Sequence, residues 1–423
     1  MAEVKALRAL RFTPKAGDIK DLACPPYDII SEEERKAYLN TNPCNIIRLE
    51  LPREGENQYA VAADLYRKWL DEGILAQDEQ PGLYIYEEEF TALGATHKVK
   101  GLQCRVKLTE FSEGVVLPHE ETLSKAKADR FELMKACGTN FSSIYSLYFD
   151  PDRALRTLID GLSEGAPTQQ WQGQDGVTHR LWCVYDAETI AQIEGLFADK
   201  KLYIADGHHR YETALNYRRH LTEQGLEPGD AGYILMTLVN MEHEGLVVFP
   251  THRIIRDLEG YNTADVLSAC AAGFEIAEVE GGLEAAQALL DSKYAEGRIA
   301  FVLYDGSYHC LTLTDAEAMG KIAPDHSKAW QELDVSVLHS LVLERCMGID
   351  KENMANQKNL IYTRDAAEAV AAVDSGSANC AFLLNPTRVE QIAAVAAAGD
   401  KMPQKSTYFY PKIITGAVMN KLR

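Results

Sequence analysis

The sequence lacks the features that mark membrane and secreted proteins. None of its hydrophobic runs approaches the roughly 20 residues that a membrane span needs, and the N-terminal stretch MAEVKALRALRFTP has no apolar run of signal-peptide length. Its nine cysteines are scattered, odd in number and include no Cys-x-x-Cys pair. These absences predict a cytoplasmic protein without a membrane partner, whose cysteines are mostly small core residues.

Positive charge is also scarce. Lys and Arg number 43 against 63 Asp and Glu, which gives a formal net charge of −20. Because DNA carries the same sign, duplex nucleic acid is an improbable main ligand, whereas a local basic pocket for a small phosphorylated molecule is compatible with an acidic exterior. The P-loop pattern G-x-x-x-x-G-K-[ST] is missing, so any nucleotide must bind in another way.

The 423 residues and their alternating helical and strand patterns predict an α/β fold of mixed α+β character. We expect mixed sheets with flanking helices and three regions. Residues 1–150 form an N-terminal α/β region with a basic and acidic cluster, residues 151–330 a central α/β region, and residues 331–423 a C-terminal helical and strand region that packs on the core. The sequence leaves a homo-oligomer open.

The stretch KLYIADGHHRYETALNYRRH, Lys201 to His220, reads as strand, turn and helix. Asp206 is placed to cap the helix and Gly207 permits a tight turn. Three titratable or basic side chains follow the turn: His208, His209 and Arg210. With the free N–H groups of the first helical turn they predict an anion site for which phosphate is the natural guest. The alternative is a capped helix whose histidines face solvent or the core.

A second cluster lies in HEETLSKAKADR, where a loop enters a helix. The zinc-protease pattern H-E-x-x-H is not met, because position 123 is leucine. Lys127 and Arg130 are suited to holding phosphate, while His119 or Glu120 moves protons. The alternative is a solvated helix N-terminus with ion pairs four residues apart.

Three shorter stretches place polar residues beside turns. Tyr27 and Asp28 follow the rigid Pro25-Pro26 pair and either line a pocket or form a structural turn. His252 and Arg253 lie at a strand end, where ligand contacts gather in α/β sheets, although such a pair is more often a surface turn. Near the C-terminus a hydroxyl-rich cationic turn predicts phosphate or carboxylate binding, or else precedes a docked helix: Lys405, Ser406 and Thr407.

The local patterns also predict particular elements. Ser31 to Glu34 is a capping box for a short helix. The run IIRLEL, residues 46–51, is interpreted as a buried strand. DVSVLHSLVL, Asp334 to Leu343, is an amphipathic helix with His339 on its flank.

Six motifs resemble those of the bacterial and archaeal family catalogued as domain of unknown function 1015. They span the chain from about residue 11 to residue 418: CPPYDIIS, HEETLSKAKADR, IADGHHRYETAL, FPTHRII, LDVSVLHSLVLE and MPQKSTYFYPK. The resemblance implies family boundaries and no particular reaction.

A shorter stretch of about 20 residues around ADGHHRYETA is similar to the phosphate-handling turn of the ParB and sulfiredoxin superfamily. That superfamily includes DNA-partition CTPases, sulfinic-acid reductases and free-serine kinases. The resemblance implies that the turn residues hold nucleotide phosphates and that Asp206 stands where the serine kinases have a catalytic acidic residue: Gly207, His208, His209 and Arg210. The turn lacks the sulfiredoxin cysteine, because His208 follows Gly207 directly, and the acidic net charge disfavours the partition branch.

The sequence thus favours an enzyme that transfers or removes a phosphoryl group on a small hydroxylated metabolite of the serine or phosphoserine type. ATP or ADP is the expected cofactor, with Mg²⁺ as a further candidate. Asp206 would act as base or bind the magnesium ion, and His208 and His209 would supply charge. His119 and Glu120 would be reserve acid and base groups. The alternatives are a non-catalytic nucleotide-sensing or DNA-associated switch and, from the paired histidines, a nuclease.

Overall fold

A computed structural model describes residues 1–120, 122 and 124–423. By contacts the chain divides into two compact units. The first unit comprises residues 1–118, 122–247 and 411–423, and the second comprises residues 119–121 and 248–410. The three-region division at residues 150 and 330 stays a prediction.

The first unit contains a nine-stranded mixed sheet. Its strands run in the order β6-β11-β8-β12-β5-β4-β10-β9, and β1 pairs with β5. The strands before residue 247 are β1 (Val4–Lys5), β2 (Leu10–Phe12), β3 (Leu75–Gln77), β4 (Leu83–Ala92), β5 (Ala95–Lys107), β6 (Val116–Leu117), β7 (Thr139–Asn140), β8 (Ile144–Tyr148), β9 (Gln169–Gln172), β10 (Thr178–Val184), β11 (Leu202–Asp206) and β12 (Tyr233–Asn240). β11 lies parallel to β6 and antiparallel to β8.

The helices of this unit bury apolar residues, some against the nine-stranded sheet and some in a cluster with Leu10 and Leu75 of the two-stranded sheet β2-β3. They are α1 (Ile19–Leu22), α2 (Glu32–Thr41), α3 (Ile47–Glu50), α4 (Gln58–Asp71), α5 (Ser124–Cys137), α6 (Ala154–Leu162), α7 (Ala187–Phe197) and α8 (His208–Glu223), with 3₁₀ turns at Pro14–Ala16, Tyr27–Ile29, Phe111–Glu113 and Gly229–Gly232. Tyr211, Ala214 and Leu215 of α8 lie in the same buried cluster as the sheet residues Ile144 and Ile204. The hydrophobic face of α8 therefore fixes the helix that begins at Gly207.

The second unit contains a six-stranded sheet in the order β15-β17-β16-β19-β14-β18, whose paired strands are antiparallel. Its strands are β14 (His252–Ile255), β15 (Phe274–Val279), β16 (Ala300–Tyr304), β17 (Tyr308–Leu313), β18 (Leu360–Thr363) and β19 (Cys380–Leu384). A separate two-stranded sheet consists of β13 (Val247–Phe249) and β20 (Tyr408–Tyr410). The chain then returns to the first unit and ends with β21 (Asn420–Lys421), which pairs with β7.

The helices of the second unit are α9 (Thr263–Cys270), α10 (Gly282–Ala295), α11 (Ala318–Ile322), α12 (Lys328–Gln331), α13 (Asp334–Val337), α14 (Lys351–Asn356), α15 (Ala366–Asp374) and α16 (Val389–Ala397). A π-helix, Leu338–Glu344, continues directly from α13. The predicted class, α/β with mixed sheets and flanking helices, is confirmed. In the described part of the chain, no helix combines the length and hydrophobicity that crossing a bilayer requires.

Two local predictions are wrong. The run IIRLEL contains helix α3 instead of a strand, because the Asn45 side chain accepts a hydrogen bond from the N–H of Ile47 and opens a helical turn. Asp206 does not cap α8: the N-cap residue is Gly207, which has no side chain to form a capping hydrogen bond. The capping box of Ser31 and Glu34 is confirmed.

Candidate functional site

The turn between β11 and α8 is shaped by Gly207. Its φ of 97° lies in the left-handed region, which glycine adopts without strain. A Cβ atom at this position would lie 3.0 Å from the guanidinium atoms of Arg210, so the arginine folds back over the turn. A shift in the strand register between Ile204 and Asp206 occurs just before it. The 16-residue helix α8 begins directly after this turn, and its N-cap residue Gly207 forms no side-chain capping hydrogen bond.

Asp206 is held between two cations. Arg210 Nη2 donates to Asp206 Oδ2 at 2.5 Å, and Lys412 Nζ donates to Oδ1. Burial alone would raise the pKa of this carboxyl, but Lys412 and Arg210 outweigh burial and hold the pKa well below its usual range. Asp206 is therefore a fixed carboxylate that positions both cations, and its low basicity suits a base role poorly.

A second buried arginine, Arg130, lies near Arg210. Its guanidinium donates to the carbonyl oxygen of Glu50 at 2.6 Å, pairs with Asp129 at 2.6 Å and lies over the ring of Tyr27, with Cζ 4.0 Å from the centroid. Arg130 and Arg210 also line one cavity of about 30 Å³. That volume holds a water molecule and is too small for a metabolite.

Glu50 is a fully buried carboxyl beside these arginines. Ser142 Oγ donates to its Oε1 at 2.9 Å, and Arg130 Nη1 lies 3.9 Å from the same oxygen. Burial raises the pKa of Glu50, although the nearby positive charges of Arg130 and Arg210 oppose the shift. Glu50 thus holds a proton more readily than an ordinary glutamate.

Asp28 is the exposed carboxylate of the cluster. It lies in the 3₁₀ turn Tyr27–Ile29, and its negative charge helps to raise the pKa values of Glu50 and Arg210. We use the name Asp206 cluster for this set: Tyr27, Asp28, Glu50, Arg130, Asp206, Arg210 and Lys412. It combines buried cations with one carboxylate that solvent reaches.

The structure brings part of the predicted site together. His208 is buried and His209 half-buried in the first turn of α8. Lys127 of α5 forms an ion pair with Glu212 of α8 at 2.6 Å, which Thr122 also contacts at 2.8 Å. Arg130 belongs to the Asp206 cluster itself. Lys127 and Arg130, the two basic residues predicted from HEETLSKAKADR, therefore lie near α8 and the Asp206 cluster.

The other predicted residues belong to the second unit. The ring of His119 bonds to Thr407 Oγ1 at 3.1 Å, and the backbone of Glu120 forms a bridge with Met402. Lys405 accepts a hydrogen bond through its carbonyl oxygen from Arg253, and Ser406 Oγ donates to the Pro403 carbonyl. These contacts define a set separate from the Asp206 cluster, so a shared role for the two sets stays a prediction.

Sequence reasoning missed Glu50 and Lys412. Glu50 was hidden in a run interpreted as a strand, and no local pattern marks it. Lys412 is the last residue of the motif MPQKSTYFYPK, and its basic character beside Pro411 was the available signal. Its partner Asp206 lies 206 residues earlier, a separation that a local pattern does not reveal.

No group of three or more His, Cys, Asp or Glu side chains in the described residues is arranged to hold a metal ion. Both carboxylate oxygens of Asp206 are bonded to cationic side chains. This residue could bind Mg²⁺ only if Lys412 or Arg210 gave way, or if a phosphate brought the ion with it.

The sheets, the flanking helices and the strand-turn-helix at Gly207 define a mixed α/β protein. Its sequence matches the family described as protein of unknown function (DUF1015) over residues 4–336. The chain belongs to that family, as its motifs predicted. Comparison with curated protein sequences found no match.

Several solved structures are distantly similar. A conserved hypothetical protein from Pyrococcus furiosus is 16% identical, with 74% of this chain and 94% of that chain covered and a TM-score of 0.36. A free serine kinase in complex with AMP is 14% identical, with 74% and 90% covered and a TM-score of 0.37. SbnI with a C-terminal truncation, from Staphylococcus aureus, is 11% identical, with 74% and 86% covered and a TM-score of 0.34. Likeness at this level assigns no role to a residue.

Proposed function

We propose that this protein is a nucleotide-dependent phosphotransferase that acts on a small hydroxylated metabolite of the serine type. The observation that carries the proposal is the clamped carboxylate of Asp206, which holds Lys412 and Arg210 beside the N-terminus of α8. Two positive charges and a set of backbone N–H groups at one turn suit the phosphates of a nucleotide.

The proposed chemistry is the transfer of the terminal phosphoryl group to a hydroxyl of the metabolite. The hydroxyl oxygen forms the new P–O bond while the bond to the leaving nucleotide phosphate breaks. Lys412, Arg210 and the helix amides stabilise charge on the phosphates. Asp206 positions these cations, because its own proton affinity is low.

The hydroxyl proton needs an acceptor that the metabolite can reach. Asp28 is exposed, and its charge acts on Arg210. We assign Asp28 the role of general base in place of Asp206. Glu50 is buried with Ser142 and Arg130, which suits a structural role.

The test is turnover of ATP or ADP with L-serine and Mg²⁺, followed by ³¹P NMR detection of phosphoserine. We expect Lys412→Met and Asp28→Asn each to lower kcat/KM by about 10²-fold or more. Asp152→Asn removes an equally exposed carboxylate outside the cluster and is the matched control.

Asp28 is exposed, so its substitution should leave the melting temperature unchanged and separate catalysis from folding. Full activity in folded Asp28→Asn and Lys412→Met proteins would refute the proposed site. Nucleotide binding without turnover of any hydroxylated metabolite would instead support the sensing alternative.

A further inference from the structure

The second unit contains a cavity of about 290 Å³, compared with about 30 Å³ beside Arg210. Its wall combines aromatic rings, thioethers and ammonium groups: Trp330, Tyr362, Met354, Met402, Lys351 and Lys401. None of these residues belongs to the Asp206 cluster. A volume near the lower end for ligand sites suits a single ring system with a small substituent.

The aromatic part of the wall includes a stacked ring pair and two donors that have no hydrogen-bond partner in the described residues. The rings of His326 and Trp330 stack with centroids 3.8 Å apart and planes 11° apart, and His326 is fixed by Asp400 at 3.0 Å. Trp330 is 6% exposed, yet its Nε1 has no hydrogen-bond partner in the described residues, and neither has the hydroxyl of Tyr362. Buried donors without a partner are uncommon in native proteins, so a ligand that accepts hydrogen bonds would complete this wall.

The cavity lining carries two lysines and one glutamate, which is an excess of positive charge. Lys351 and Lys401 line it, and neither forms an ion pair within the described residues. Glu344 contributes one carboxylate to the lining and, like Lys351, is exposed, whereas Lys401 is half-buried. His339 is also in the wall, and burial together with Arg253 lowers its pKa, so its imidazole is neutral and does not add to the charge.

A buried arginine lies directly behind this wall. Arg253 is 1% exposed, donates through Nε to His339 Nε2 at 3.2 Å and lies over the Tyr362 ring, with Cζ 5.3 Å from the centroid. Its other partners are the carbonyl oxygens of Thr251 and Lys405. No carboxylate of the described residues pairs with it, and burial lowers its pKa to about 10. An uncompensated buried cation is costly, and an anion in the adjoining cavity would offset that cost.

We propose that this cavity binds a small planar aromatic anion, a heteroaromatic ring that carries one phosphate or carboxylate group. The ring lies against Trp330, Tyr362 and the methionines, because flat apolar surfaces pack well on aromatic rings and thioethers. Lys351 and Lys401 bind the anionic group, and Arg253 adds its field from behind. This site is additional to the proposed phosphotransfer site.

The test is titration calorimetry on the full chain with two matched pairs of probes. AMP with adenosine tests the phosphate class, and indole-3-acetate with indole tests the carboxylate class. We expect the anionic member of one pair to bind at least 10-fold more tightly than its neutral partner, and the pair that binds identifies the class. Binding of neither anion at 1 mM would overturn the proposal.

Variants locate the binding. Lys401→Met should weaken the anion at least 10-fold, whereas Lys358→Met, an exposed lysine outside the cavity lining, should not change it. Trp330→Phe keeps an aromatic side chain but removes the indole N–H, which has no partner in the described residues. This variant should weaken binding with the fold intact. Lys412→Met should leave binding at this cavity unchanged, even if it removes a separate AMP-binding event at the proposed phosphotransfer site. Loss of AMP binding in Lys412→Met but not in Lys401→Met would refute this site and support the Asp206 cluster instead, so the two proposals fail separately.

Discussion

Arg210 and Arg253 are both buried, yet their surroundings differ. Arg210 has the carboxylate of Asp206 at 2.5 Å and almost no empty space beside it. Among the residues that the structure describes, Arg253 has only carbonyl oxygens and a neutral imidazole as hydrogen-bond partners, beside a wall that encloses about 290 Å³. The carboxylate of Asp206 balances the charge of Arg210, whereas no carboxylate of the described residues balances the charge of Arg253. The difference indicates a preformed charge network in one unit and a site completed by its ligand in the other.

The largest loss of stability is expected when Arg210, the arginine paired with Asp206, is replaced. Arg210→Met leaves Asp206 with one cation, and breaking a buried pair costs about 3–5 kcal/mol. Urea denaturation should show this loss in the free energy of unfolding. Arg219→Met on the same helix removes a half-exposed partner of Glu110 and should cost less than about 1 kcal/mol. Equal losses would mean that the buried ion pair with Asp206 contributes no more to stability than the exposed pair with Glu110.

A buried carboxyl that pairs with no Lys or Arg of the described residues provides the second test. Glu88 is 1% exposed, accepts a hydrogen bond from Tyr86 at 3.0 Å, and burial raises its pKa to about 8. The folded chain therefore keeps a proton that the unfolded chain loses from about pH 4.5 upwards. This contribution to stability is complete below pH 4.5 and is lost as the pH rises towards about 8.

Glu88→Gln should remove that pH dependence, which is on the order of a few kcal/mol, because an amide cannot ionise. The measurement is the free energy of unfolding from pH 5 to pH 9. Glu278→Gln, at an exposed glutamate, should retain the wild-type slope. An unchanged slope in Glu88→Gln would show that Glu88 is already ionised in the folded protein.

The third prediction sharpens the contrast between the arginines. Arg253→Met strands two carbonyl acceptors but also removes an unbalanced buried charge, so we expect a loss of about 1–2 kcal/mol, smaller than that of Arg210→Met. The same denaturation experiment measures both. A larger loss at Arg253 would mean that this charge already has a partner in the free protein.

The smallest effect is expected at a single hydroxyl. Tyr362→Phe removes an OH group without a partner in the described residues and should change the unfolding free energy by less than about 1 kcal/mol. Tyr211→Phe is the matched control, because its OH donates to the Thr109 carbonyl at 2.8 Å. It should cost about 1–3 kcal/mol. Similar losses would indicate that Tyr362 has a partner after all.

The sequence revealed the elements whose signals are local. The strand, turn and helix around Gly207 were predictable, because a strand pattern, a turn glycine and helical spacing follow one another. The helix at Asp334 was predictable from its apolar spacing, but its continuation as a π-helix from Leu338 was not, because an i to i+5 hydrogen-bond pattern has no marked sequence period.

The site was less predictable because its contacts are not local. Arg210 could be expected at the turn, but the bond from Lys412 to Asp206 depends on the packing of distant segments. The strand interpretation of IIRLEL hid Glu50, since a short apolar run does not distinguish a strand from a buried helix. The charge imbalance at Arg253 depends on which carboxylates are absent nearby, and only three-dimensional structure shows that.

The return of residues 411–423 to the first unit has a consequence for synthesis. Residues 248–410 leave the ribosome as one contiguous piece, whereas the first unit must wait for a segment that is translated after all of them. Lys412 and β21 come with that segment. Until then Asp206 and Arg210 lack their third partner. We therefore expect a nascent chain arrested before residue 411 to fold its second unit first, and the contacts around Asp206 to form only after residues 411–423 have left the ribosome.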